Sequence, residues 1–163
     1  MAAQLLLLAC AAVVLHAAKA QDSYNGLPDS FKAGVDLVSE QLTSSSNVKL
    51  HFRFWKTVNK LQQEAGFHQK FLNHHFLLKP TWCAKGTGAS NSQSCAFRND
   101  RPLMDCRVCF KMSREGIEYD PKPYVHCIQR PRLTPEMITE RTQQCEKVNY
   151  NTGGATILGL STS

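Results

Sequence analysis

Two cysteines three residues apart on an alternating stretch constrain this chain more than any other feature. In Met104-Asp105-Cys106-Arg107-Val108-Cys109-Phe110-Lys111-Met112-Ser113, one side of a period-two pattern holds Met104, Cys106, Val108, Phe110 and Met112. The other side holds Asp105, Arg107, Cys109, Lys111 and Ser113. Such alternation is the signature of a strand packed on one face, so Cys106 points toward a core and Cys109 away from it. Three residues of extended chain set them about 10 Å apart, beyond the roughly 7 Å between Cα atoms that a disulfide spans. Each needs a different partner.

The supply of partners follows from the amino terminus. Leu5 to Leu15 is an apolar run too short to span a bilayer, followed by the small-x-small pattern Ala18-Lys19-Ala20. This predicts a secretory signal over residues 1–20 and a secreted, extracellular protein. Without it Cys10 leaves, and six cysteines remain, an even number in an oxidising compartment. Lys19 leaves too, so 18 basic residues face 13 acidic ones, a net charge of +5. That balance suits ordinary solubility, with anionic heparin-like glycosaminoglycans as secondary partners. No later run is long and apolar enough for a membrane span, and no Asn-x-Ser/Thr acceptor occurs.

Along the chain, Asp29 or Ser30 is placed to cap a helix running to about Leu42, with Phe31, Val35, Val38 and Leu42 on one stripe. Thr43 to Asn47 is expected to end it. Val48, Leu50, Phe52 and Phe54 alternate with Lys49, His51 and Arg53, which predicts a strand with a buried and a wet face and a bulge at Trp55-Lys56. Asn59 to Gly66 reads as a hairpin connection. Leu72, Phe76 and Leu78 mark a second strand; His74 shares their phase, so either its imidazole is buried or the register shifts. A third strand runs from about Ser94 to Met112, with a candidate interruption around Asn99-Asp100-Arg101-Pro102, a fourth over Tyr124–Ile128, and Thr134-Pro135 opens a short helix toward Cys145. Glu146 to Ser163 has neither period and reads as a flexible tail. The order describes one α+β domain, an antiparallel sheet packed on an N-terminal helix, over residues 21–145.

A hairpin of the third and fourth strands sets Cys106 opposite Cys127. Cys83 and Cys95 bracket one small, polar loop, which leaves Cys109 for Cys145. Alternation and proximity select this pairing. Cys106, Cys109, His126 and Cys127 also make up a zinc ligand count, but six cysteines in a secreted chain favour disulfides. His68, His74 and His75 have no carboxylate or nucleophile at a useful spacing. Cys106-x-x-Cys109 has thioredoxin-like spacing but sits on a strand rather than at a helix N-terminus. With no phosphate-binding loop or triad signature, neither an enzyme, a cofactor, a metal nor a nucleic-acid partner is expected. Arg98, Arg101, Arg107, Lys111 and Arg114 cluster around the central strand as a candidate polyanion-binding patch, against the plainer reading of a solvated face.

Cys83, Cys95, Cys106-Arg107-Val108-Cys109, Val125-His126-Cys127 and Gln143-Gln144-Cys145, with the leader and the early helix, carry a resemblance. In order and spacing they resemble the chemerin family, secreted relatives of the cystatins and cathelicidins, over roughly Phe31 to Cys145. The resemblance implies a cystatin-like sheet wrapped on one helix and the same cysteine pairing. It implies a chemoattractant and adipokine precursor in inflammation, chemotaxis and adipocyte differentiation. An extracellular protease would trim its C-terminus, and a chemokine-like G-protein-coupled receptor would then read it. The family's agonist tail is aromatic-rich. Here Tyr150 is the only aromatic, with Ile157, Leu158 and Leu160 as further candidate receptor anchors, and an inert end is the equal alternative. The relatives suggest two rival roles. Inhibitory cystatins use a Gln-x-Val-x-Gly hairpin and a Pro-Trp loop; Leu61 to Gly66 lacks the valine, and Pro80-Thr81-Trp82 is the nearest approach to the pair. A cathelicidin-like antibacterial peptide needs clustered cations, yet after Cys145 only Lys147 is basic.

Overall fold

Helix α1, Asp29–Ser44, starts directly after Pro28. The Pro28 carbonyl accepts from the backbone N–H of Phe31 and Lys32 at 2.9 and 3.0 Å, so Asp29 and Ser30 lie in the first turn and neither is the cap. At the other end Thr43 and Ser44 extend the helix: their hydroxyls donate back to the carbonyls of Ser39 and Gln41. The computed structural model describes residues 23–66, 68–86, 91 and 94–150. The predicted signal over 1–20 and the tail residues Ile157, Leu158 and Leu160 lie outside that set.

Among the described residues five antiparallel strands make one sheet: β1 Leu50–Glu64, β2 Lys70–Ala84, β3 Met104–Ser113, β4 Gly116–Ile117 and β5 Tyr124–Gln129. The order is β1-β2-β3, with β4 and β5 pairing different stretches of β3 beyond it. Helix α2, Pro135–Tyr150, follows a 3-10 turn over Arg130–Arg132. The Met137 N–H donates to the Thr134 hydroxyl at 3.3 Å, and Pro135 takes the first helical position, where its missing N–H costs nothing. The molecule is an α+β fold.

Several boundaries differ from the sequence reading, each for a physical reason. Asn59–Glu64 continues β1, because an edge strand solvates polar side chains as readily as a loop does. The turn is Ala65–Gln69, with Gly66 at φ 79°. The ladder shifts between Phe54 and Lys56, where the bulge was predicted, and again at Leu50/Phe52 and Thr57/Asn59. His51, assigned to the wet face, is 6 % exposed, with Nδ1 at 2.7 Å from the Thr81 hydroxyl. β3 starts at Met104; the stretch before it contributes a single bridge, Phe97 to Thr81. β4, at two residues, is too short to leave a period. α2 runs on through Tyr150, so residues 146–150 are helix.

Phe31, Val35 and Val38 of α1 pack on Phe54, Leu72, Phe76, Leu78, Cys106, Val108 and Phe110. At Gly34 the helix comes closest to the sheet: a Cβ there would sit 2.7 Å from Phe110 Cε1. Alanine is the better helix former, but the clash outweighs that gain, and Gly34→Ala is expected to lower stability by about 1–3 kcal/mol in urea unfolding.

His74 is fully buried in the same core, its register unshifted. Its ring lies against Phe31 and Phe76, Nε2 meets the Thr57 hydroxyl at 3.0 Å, and Nδ1 has no hydrogen-bond partner. Burial first, then the charges of Lys60 and His75, pushes the imidazole down from 6.5 to about 3. Between those values the unfolded chain binds a proton that the folded chain refuses, so stability falls as pH drops from 6.5 toward 3. The slope from this group is at most about 1.4 kcal/mol per pH unit. Urea midpoints measured across that window for the wild type and His74→Leu test this: the variant's dependence on pH should be the shallower.

Candidate functional site

β3 carries charged residues on the side that α1 does not cover, and a strand with one wet face was the simplest reading of them. The structure overturns it. Cys109 is fully buried and Asp105 is 2 % exposed, because α2 lies across this outer face; Lys111 is 1 % exposed. Phe71, Cys109, Cys145 and Val148 form a second apolar cluster there, with Ala65 and Tyr124 at its margin.

The six cysteines of the described residues pair as Cys83–Cys95, Cys106–Cys127 and Cys109–Cys145, with Cα atoms 5.6, 4.2 and 5.4 Å apart. Their sulfurs are therefore not available to the zinc alternative, and His126 is engaged elsewhere. The first bond closes the small polar loop, the second staples β3 to β5, and the third holds α2 to the sheet.

Beside that third bond lies a buried polar cluster. Arg141 of α2, 2 % exposed, donates through Nη1 to Asp105 Oδ1 at 2.5 Å and through Nη2 to the Asp105 carbonyl at 3.1 Å. Its Nε donates to His126 Nδ1 at 2.7 Å, which requires that nitrogen to be unprotonated. His75 Nε2 donates to the same Asp105 oxygen at 2.9 Å. Burial pushes the Asp105 carboxyl up, but the hydrogen bonds from His75 and Arg141 outweigh it and hold the carboxyl below its usual range. Burial and the adjacent Arg141 cation lower His126. Both directions make the cluster tightest in neutral solution and weaker in acid. Farther along, Arg107 donates to Asn73 at 3.1 Å and to Thr142 of α2 at 3.0 Å, and Asn149 donates to Gln63 at 3.2 Å. Chemically this is a clamp: each charge is answered from another element, and α2 is held along its length until Val148.

Of the candidate polyanion residues, Arg98 and Arg101 come together on the same oxygen of Asp100, the second at 4.0 Å. Lys111 is buried and Arg107 is engaged with Asn73 and Thr142. Arg98 lies 4.2 Å over the Trp82 ring and pairs with Asp100, while Arg101 is exposed and Arg114 sits in the β3–β4 turn. Of the tail residues, Tyr150 is the last of α2 and is 78 % exposed.

Sequence reasoning missed Arg141 altogether. One signal was present: Cys109 lies in phase with Asp105, Arg107 and Lys111, so whatever brings its partner must also cover them. It missed a second grouping as well. Trp55 and Phe97 meet edge to face at 5.2 Å, with Lys79 4.2 Å over Trp55 and Arg53 4.6 Å over Phe97, beside a cleft of about 260 Å³ that Tyr24 and Asn91 help to line. Among the described residues no helix is long and apolar enough to cross a membrane. No protein-family model matches this chain, and no curated protein matches it.

Proposed function

We propose that this chain is a secreted signalling precursor of the chemerin kind, with a cystatin-like domain that serves as carrier for a C-terminal peptide. An extracellular protease trims that peptide, and a chemokine-like G-protein-coupled receptor on responding cells reads it. The observation that carries this reading is the abrupt change at the end of α2. Val148 is 6 % exposed and held beside the Cys109–Cys145 bond, and Tyr150, two residues on, is 78 % exposed. A carrier of this design needs a rigid anchor immediately before its message. The residues after it include Ile157, Leu158 and Leu160, whose apolar side chains gain by burial against a partner. The antiparallel sheet with α1 on one face supports the cystatin-like part of the reading, and three disulfides support secretion.

Calcium release and migration of chemokine-like-receptor cells, measured with the full-length protein and with serial truncations from Ser163 back to Asn151, test it. At least one shortened form should be more active than the full chain, and removal of everything after Tyr150 should abolish the response. Silence from every form would end the receptor-ligand reading. The polyanion-binding, host-defence alternative is the weaker of the two, because Lys111 is buried, Arg107 is engaged with Asn73 and Thr142, and Arg98 is paired with Asp100.

A further inference from the structure

β1 is the outermost strand of the sheet: β2 pairs with one side, and among the described residues no strand pairs with the other. The register decides which backbone groups face that open side. At the closed end of the hairpin Ala65 N–H donates to Gln69 O at 2.8 Å, and from Glu64↔Lys70 to Asn59↔His75 the ladder has no irregularity. Hydrogen-bonded and non-hydrogen-bonded pairs alternate in an antiparallel ladder. Asn59, Leu61 and Gln63 therefore turn their N–H and C=O toward β2, and Lys60, Gln62 and Glu64 turn theirs outward. All five residues from Lys60 to Glu64 are exposed, Leu61 at 44 %.

That outward set is complementary to itself. When two copies of β1 lie antiparallel about an axis through Gln62, Gln62 faces Gln62. Lys60 of each copy faces Glu64 of the other, and every outward-turned backbone group meets an outward-turned group. The three residues share one side of the sheet: the Lys60 ammonium lies 5.7 Å from the Phe31 ring centroid, Ser30 reaches Gln62, and Glu64 follows by alternation. The neighbouring registers are poorer matches. Centring on Lys60 or Glu64 sets like charges face to face, and centring on Leu61 or Gln63 keeps the backbone groups matched but sets Lys60 or Glu64 opposite the uncharged Gln62, so the charged pairs are lost. A lysine on an exposed edge ordinarily discourages pairing; here a glutamate four residues on answers it.

We propose that the Lys60–Glu64 edge is a self-recognition surface, through which two copies of this chain join their sheets into one continuous sheet with both α1 helices on the same side. Sedimentation equilibrium of the full-length protein from micromolar to millimolar concentration tests it. The wild type should show a reversible monomer–dimer equilibrium. Glu64→Lys and Lys60→Glu each set like charges opposite one another and should weaken self-association by roughly tenfold or more. Both positions are exposed, so circular dichroism should report an unchanged fold in each variant. Mixing the two variants makes every facing pair unlike again and should restore dimers, as should combining both substitutions in one chain. A wild type that stays monomeric throughout, single variants that associate like the wild type, or a mixture that fails to associate would each overturn the proposal.

Discussion

Arg141→Met is expected to destabilise the protein by about 3–5 kcal/mol, the range for removing one partner of a buried ion pair. Asp105 is 2 % exposed and would keep the donor from His75 Nε2 while its carboxylate and its carbonyl each lose a donor from Arg141. His126 would lose the donor to its Nδ1 as well. The cost therefore lies in the carboxylate left behind, and Asp105→Val combined with Arg141→Met should recover most of it. Acid provides a second check. In the wild type Asp105 titrates below its usual range, so its stabilisation is present above that range and is lost as pH falls through the depressed value. Without Arg141 the carboxyl protonates at higher pH and stops being a buried charge. Urea unfolding should show the gap between wild type and Arg141→Met narrowing from pH 7 to pH 4; a gap that stays constant would mean the loss is one of packing alone.

Cys109→Ala with Cys145→Ala is expected to cost about 3–4 kcal/mol on the chain-entropy estimate for a closed loop of this size, the two cysteines being 36 residues apart. The shorter Cys83–Cys95 loop, with a separation of 12, should be worth about 1 kcal/mol less on the same estimate. The two losses should also differ in place. Cys109 and Cys145 are core members of the outer cluster with Phe71 and Val148, so without their bond Glu136–Tyr150 should exchange its backbone amides sooner than β2 and β3 do. Hydrogen exchange followed residue by residue would show this, and uniform acceleration throughout the sheet would refute it.

Much of this was legible from β3. Its alternation marked the faces, the faces separated Cys106 from Cys109, and proximity then selected the partners that the structure joins. The stripe on α1 was equally plain, because Phe31, Val35 and Val38 all meet the sheet. What alternation does not convey is whether the polar side of a strand meets water or another element. Asp105, Arg107 and Lys111 look the same in either case, and the answer depended on Arg141, thirty-six residues away from Asp105 in sequence. Asn59–Glu64 was misread for a related reason: an exposed edge strand and a loop draw on the same polar residues. Arg98 and Arg101 seemed to belong with Arg107 until the strand began at Met104.

The position of β3 between the two helices has a consequence for cooperativity. α1 packs against one face of this strand and α2 against the other, so two apolar clusters with no residue in common share a single backbone. Melting either one strips cover from the strand on which the other rests, and partial unfolding of one half therefore weakens the other. While the Cys109–Cys145 bond is intact, a domain wired this way loses its hold on Val148 and its interior together; cutting that bond is what lets the helix open ahead of the sheet.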